Sequence, residues 1–212
     1  MRELLPLFVH LDGRPVLLVG GGPVAAAKLQ QLRAVGAAVL VVAPQVQDDM
    51  VQPGVTIERR AFRPADLENA WLVVAAATPD VNREVAAAAE SRRVFVNAVD
   101  DPPNATAYLS GVVRRDAVTL AISTSGEAPA LAGLLREALD DVLPRDLAAW
   151  MTVARDERIK WKRDGVPMEQ RRPLLLEALN RIYHPAPDAA PLAETNLVSA
   201  IAAGPVVDRD KD

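Results

Sequence analysis

The sequence predicts an α/β protein built on a doubly wound parallel sheet, and three observations predict it. Short apolar or β-branched runs alternate with helical spacings over about the first 105 residues. A glycine cluster, Gly20-Gly21-Gly22, separates the first such run from the first helical segment. One run, Trp71–Ala77, is apolar without a break, as a parallel strand covered on both faces should be.

Taken in order, Pro15–Val19 reads as a buried first strand, and Ala25, Leu29 and Leu32 recur at helical spacing until Gly36 closes the segment. Val39–Val42 is a second strand, ended near Ala43 because Pro44 cannot continue a central ladder. Thr56–Phe62 mixes Ile57 and Phe62 with Glu58, Arg59 and Arg60, which suits an exposed edge strand. Trp71–Ala77 is the fourth strand, Val81, Val85 and Ala88 mark a helix, and Val94–Val99 is the fifth strand. After Pro103 the pattern changes. Tyr108–Val113 and Ala117–Ser123 flank Arg114-Arg115-Asp116 too closely for a helical crossover and should pair antiparallel. Ala128–Leu143 is a helix with Leu131, Leu134, Leu135, Leu139 and Val142 along one side, halted by Pro144. Further helices are expected at Asp146–Lys162 and Pro173–Tyr183, followed by a loosely held tail rich in Pro, Ala and Asp.

Composition narrows the classes of function. Net charge is −4 over 212 residues, so no overall positive field exists to hold a polyanion, and nucleic acid is not an expected partner. Cysteine is absent, which removes disulfides, thiolate nucleophiles and Cys-ligated zinc together; with two histidines, no protein-built metal site is expected. A reducing cytoplasm fits this usage. Met1–Arg14 lacks the charge and apolar pattern of a signal peptide, and no apolar run approaches the roughly 20 residues of a membrane helix.

Gly20-x-Gly22-x-x-Ala25 has the spacing of a dinucleotide fingerprint placed between a strand and a helix, which makes the domain Rossmann-type. Gly20 permits the sharp turn, and Gly22 clears space for a pyrophosphate to meet backbone N–H groups and the helix N-terminus. Gly21, Pro23 and Val24 border the same diphosphate. Pro44 and Gln45 lie where an adenosine ribose should rest, and Thr78, ending the fourth strand, neighbours the nicotinamide side. The ribose-binding acid expected about 20 residues further on is replaced by Ala43-Pro44-Gln45, which leaves NAD versus NADP open.

The chain resembles the precorrin-2 dehydrogenase / sirohydrochlorin ferrochelatase family, which also forms the N-terminal half of bifunctional siroheme synthases. The resemblance covers about residues 4–150. It rests on Leu5-Pro6-Leu7-Phe8, on Val19-Gly20-Gly21-Gly22-x-Val24-Ala25 with Lys28, and on Ala75-Ala76-Ala77-Thr78 with Asp80 and Asn82. It continues through Asn97-Ala98-Val99-Asp100 and Ile122-Ser123-Thr124-Ser125-Gly126, with Pro129 and Leu134-Leu135-Arg136-Glu137. The resemblance implies NAD-dependent oxidation of precorrin-2 to sirohydrochlorin and, in some members, insertion of ferrous iron into the macrocycle. It also implies a Rossmann domain over residues 1–106, a dimerisation segment over 107–145, a small helical C-terminal domain over 146–185 and a homodimer; the tail read from composition is then residues 186–212.

By the same resemblance Asp100 is the catalytic base, although the adjacent Asp101 leaves the register open and an Asp-Asp-Pro turn capping its own backbone is the bland alternative. Ser123, Thr124 and Ser125, before a helix, could hold carboxylate arms of the substrate or simply cap that helix. Arg114 is a candidate carboxylate clamp, with Arg115 and Arg136 behind it. His10 and His184 are given no role. A module that binds NAD to control a partner, with no chemistry, would share the glycine turn but need neither Asp100 nor the Ser/Thr segment. A short-chain dehydrogenase would need a Tyr-x-x-x-Lys pair, and neither Tyr108 nor Tyr183 supplies one.

Overall fold

A computed structural model describes residues 4–109 and 111–183; the expected tail and His184 lie outside these residues. The chain divides into two units. One holds the residues up to Gly111 together with Ile122–Gly133, and the other holds Val112–Ala121 and the chain from Leu134 onward.

The first unit is a five-stranded sheet of order β3-β2-β1-β4-β5, made of β1 (Pro15–Val19), β2 (Ala38–Val42), β3 (Thr56–Glu58), β4 (Leu72–Ala75) and β5 (Phe95–Ala98). Every pairing between these strands is parallel. Helix α1 (Pro23–Arg33) links β1 to β2, and α2 (Pro79–Glu90) links β4 to β5. Apolar residues at helical spacing give each helix one buried stripe: Ala25, Ala26, Leu29 and Leu32 on α1, Val85 and Ala89 on α2. The two stripes join two separate clusters. Val16, Leu18, Val39, Val41 and Val74 pack with α1, whereas Leu17, Val19, Val42, Val73 and Val96 pack with α2. Alternate strand residues point to opposite faces, so a sheet covered on both sides needs apolar residues at every position, and that is why β1 and β4 are apolar throughout.

The register sets the level of the site. Val19 lies beside Val42 and Ala75, and Ala75 beside Ala98, so β1, β2, β4 and β5 end together. The chain leaves β1 for one side and reaches β4 on the other, making the carboxyl end of β1 the switch point where such sheets bind ligands.

The third strand is shorter than Thr56–Phe62. It stops at Glu58 because Arg60 turns away to form a bidentate pair with Asp66 at 2.8 and 2.7 Å, and Phe62 is buried beyond the strand. Further along the chain, β6 (Gly111–Arg115) and β7 (Val118–Ile122) form the expected two-stranded ladder, joined by a two-residue link that permits only a hairpin. Helix α3 (Pro129–Val142) precedes α4 (Leu147–Arg163) and α5 (Met168–Tyr183). Helix α5 begins five residues before Pro173. The carbonyl that the proline ring leaves without an N–H partner belongs to exposed Glu169, where water can satisfy it. Trp150 and Asp146 both bond the Tyr183 hydroxyl, tying the start of α4 to the end of α5. Burial is the main reason that this hydroxyl titrates above the ordinary tyrosine value.

Candidate active site

The glycine turn sits at the switch point, and its three glycines have different reasons to be there. Gly20 has φ +131°, and a Cβ on it would lie 2.2 Å from the Ala76 carbonyl oxygen. A Cβ on Gly21 would lie 1.9 Å from the carbonyl oxygen of Gln45, because the chain after β2 folds back here and the Gln47 N–H donates to the Gly21 carbonyl at 3.0 Å. Nothing stands within 4 Å of a Cβ on Gly22. Gly22 is also the N-cap of α1, no side chain caps that helix, and Pro23 occupies its first turn. Open space in front of an uncapped helix N-terminus fits a dinucleotide diphosphate, since the first-turn N–H groups and the helix dipole both favour an anion.

Of the other expected cofactor contacts, Val24, Pro44, Gln45 and Thr78 are exposed. Thr78 is the N-cap of α2, yet its hydroxyl makes no cap bond and stays available. The open recess on the β2 side, about 470 Å³, is lined one step later than Pro44-Gln45, by Val46, Gln47, Asp48 and Asp49. Two carboxylates thus stand near the place where a ribose-binding acid was sought at the end of the strand.

A second pocket, about 180 Å³, lies within the first unit and gathers Lys28, Asn97, Asp100, Asp101, Tyr108, Ser123, Thr124 and Gly126. Asp100 follows β5 in a left-handed turn with φ +54°, a conformation that aspartate tolerates better than most residues. Asp101 is spent locally: its two carboxylate oxygens accept from Asn104 Nδ2 at 3.0 and 2.9 Å. Asp100 carries no such bond among the described residues and is exposed. Ser123 Oγ accepts from the Ser125 N–H at 3.1 Å and Thr124 Oγ1 from the Ala128 N–H at 3.3 Å, so both hydroxyl hydrogens remain free to donate. Ser125, at φ +55°, is outside the pocket lining. Arg114 is exposed on β6 and does not line the pocket either. Arg115 binds the carbonyl and carboxylate of Asp140 at 2.8 and 2.7 Å, closing the last turn of α3, and Arg136 pairs with Glu137.

Two pocket residues were not singled out as functional in the sequence. Lys28 projects from the second turn of α1; burial pushes its ammonium below the ordinary lysine value, and the charge of Asp100 opposes that shift. A lone lysine after Ala25-Ala26-Ala27 was the available signal. Asn97 is only 6% exposed, and its Nδ2 donates to the Ala107 carbonyl at 3.0 Å. A polar residue in an otherwise apolar strand was its signal.

Residues 7–111 match a family model described as "Putative NAD(P)-binding". Siroheme synthase 3 of Aeromonas hydrophila subsp. hydrophila is 40% identical over 175 residues, 80% of this chain and 37% of that protein. The siroheme synthase of Sodalis glossinidius is 38% identical over 211 residues, 96% of this chain and 45% of that protein. The solved structure titled SirC, precorrin-2 dehydrogenase, shares the fold with a TM-score of 0.63 at 23% identity, over 87% of this chain and 94% of that one. The chain is thus a relative of siroheme synthases over most of its own length and shares the fold of the precorrin-2 dehydrogenase structure. It spans less than half the length of the siroheme synthases quoted above. The family model ends at Gly111, where β6 begins, so it covers the sheet, the glycine turn, Lys28, Asn97 and Asp100 but not Ser123 or Thr124.

Proposed function

We propose that this protein catalyses NAD-dependent dehydrogenation of precorrin-2 to sirohydrochlorin, a step toward siroheme. The observation that carries this reading is an unspent carboxylate, Asp100, at the carboxyl edge of a sheet whose glycine turn is open for a diphosphate. When bound, NAD supplies the hydride acceptor. Gly20, Gly21, Gly22, Pro23 and Val24 would seat its diphosphate, Pro44 and Gln45 its ribose with Asp48 and Asp49 close by, and Thr78 would lie on the nicotinamide side.

Loss of a hydride from a macrocycle carbon must be matched by loss of one ring proton. Asp100 would take it: a pyrrole N–H bond breaks and an O–H bond forms on the carboxylate. Lys28 lines the same pocket and sets a cation beside that carboxylate. Free hydroxyl hydrogens on Ser123 and Thr124 suit the acetate and propionate arms, with Ser125 and exposed Arg114 as further contacts. A pocket of 180 Å³, room for about six waters at about 30 Å³ each, holds one ring at most, so a four-ring substrate would lie across its mouth. Ferrous iron, as a second substrate, would be held by the macrocycle, and Asp100 would receive the N–H protons that it displaces.

We assign the active form as a homodimer in the cytoplasm. Leu134, Leu135, Leu139 and Val142 leave an apolar side of α3 exposed, and such a face is the material of an interface. No described helix is long and apolar enough to cross a membrane. Anaerobic incubation with precorrin-2 and NAD tests the reading: the absorbance change to sirohydrochlorin is expected. Tight NAD binding without turnover would replace it by the sensing module.

A further inference from the structure

Asn97 holds the one buried side-chain oxygen or nitrogen among the described residues that lacks a hydrogen-bond partner, its Oδ1. The side chain cannot solve this by turning over, because Nδ2 is committed to the Ala107 carbonyl at 3.0 Å. The loop carrying Ala107 is itself fixed along β5: the Thr106 and Ala107 N–H groups donate to the Val96 carbonyl at 2.9 and 2.8 Å, and Thr106 Oγ1 accepts from the Val96 N–H. A sheltered acceptor without a partner is costly, and a wall of the candidate active site is where such a cost has a use. What Oδ1 lacks is a donor, so its natural partner carries an N–H.

The register gives the reach. Asn97 lies beside Val74, and Val74 beside Leu18, so Asn97 stands two strands across from Leu18, two residues before Gly20. Two strand spacings make about 10 Å, and two residues along a strand about 7 Å. That is the span from a dinucleotide diphosphate to the far side of its nicotinamide ring. The pocket of 180 Å³ has the size of one substituted ring, and the nicotinamide carboxamide brings two N–H donors. Lys28, on a flexible stem in the same wall, can shift to let the donor approach.

We infer that Asn97 Oδ1 accepts a hydrogen bond from the nicotinamide carboxamide of the bound dinucleotide and so fixes the redox ring beside Asp100. The inference rests on the NAD reading above and deepens it.

The test compares equilibrium binding of NAD and of 3-acetylpyridine adenine dinucleotide, whose methyl ketone has no N–H, by titration calorimetry without substrate. The protein is expected to bind NAD about tenfold more tightly, the cost of leaving a buried acceptor unpaired. Asn97→Leu should bind both within about twofold, while Asn97→Asp, which keeps an acceptor oxygen, should retain a preference for NAD. Equal binding by the unaltered protein overturns the inference and leaves the NAD reading standing, whether or not the variants fold. A folded Asn97→Leu that still prefers NAD overturns it as well. If neither dinucleotide binds, the NAD reading falls first and the inference with it.

Discussion

Lys28 and Asp100 line one pocket from elements 72 residues apart in sequence, the lysine from α1 and the carboxylate from the turn after β5. The pocket walls desolvate the ammonium, and the carboxylate partly restores it. The Asp100 oxygens stay free of any fixed bond among the described residues, which is what the proposed proton abstraction needs.

Replacing Lys28 by methionine removes a partly desolvated cation from the pocket wall. Stability should move in the opposite sense to a lost ion pair. A lysine whose folded pKa lies below its unfolded value costs stability while both states are charged, and the cost fades as pH rises from the lowered value toward 10.5. Lys28→Met should then melt a few degrees higher at pH 7, with the gain shrinking near pH 10. A melt series across that range checks the sign.

Asp100→Asn should lose about a hundredfold or more in precorrin-2 turnover while NAD affinity stays within about twofold. The left-handed turn does not confound this variant, because asparagine accepts φ +54° as readily as aspartate. Asp101→Asn should behave differently, since that carboxylate serves Asn104; turnover near that of the unaltered protein is expected. A large loss in the second variant and none in the first would reverse the assignment.

Adjacent glycines should separate folding from binding. Gly21→Ala drives a methyl into the Gln45 carbonyl and should cost about 2 kcal/mol of stability, read from denaturant midpoints. Gly22→Ala meets no protein atom and keeps a φ of −89° that alanine accepts, so it should cost under about 1 kcal/mol. Yet its methyl occupies the diphosphate's space, and NAD binding should weaken by about tenfold or more.

Charge placed on the exposed side of α3 tests the dimer. Leu134→Glu combined with Leu135→Glu, at positions 64% and 42% exposed, should leave the fold intact and shift sedimentation from dimer to monomer. An unchanged dimer would place the interface elsewhere.

Much of the fold was legible because it is local. The fingerprint, Pro44 and the apolar run of β4 each mark structure within a few residues, and strand order follows from the short connections. Where reading failed, a side-chain partner or exposure to solvent had intervened. Arg60 left the third strand for Asp66, and Arg115, a candidate clamp for substrate, turned out to close the end of α3 through Asp140. Pro173 read as a helix start, although α5 could absorb it where the orphaned carbonyl is exposed.

From the chain alone come the alternation of strand and helix, the glycine bend, and the presence of two neighbouring carboxylates after β5, all of them consequences of sterics and periodicity along a few residues. Folding decides which of those carboxylates is free, brings Lys28 to it from α1, returns the segment after β2 to the glycine bend, and leaves Asn97 with an unpaired oxygen. These are meetings across strand register and packed faces, where a side chain's partner is set by three-dimensional neighbours rather than by its place in line.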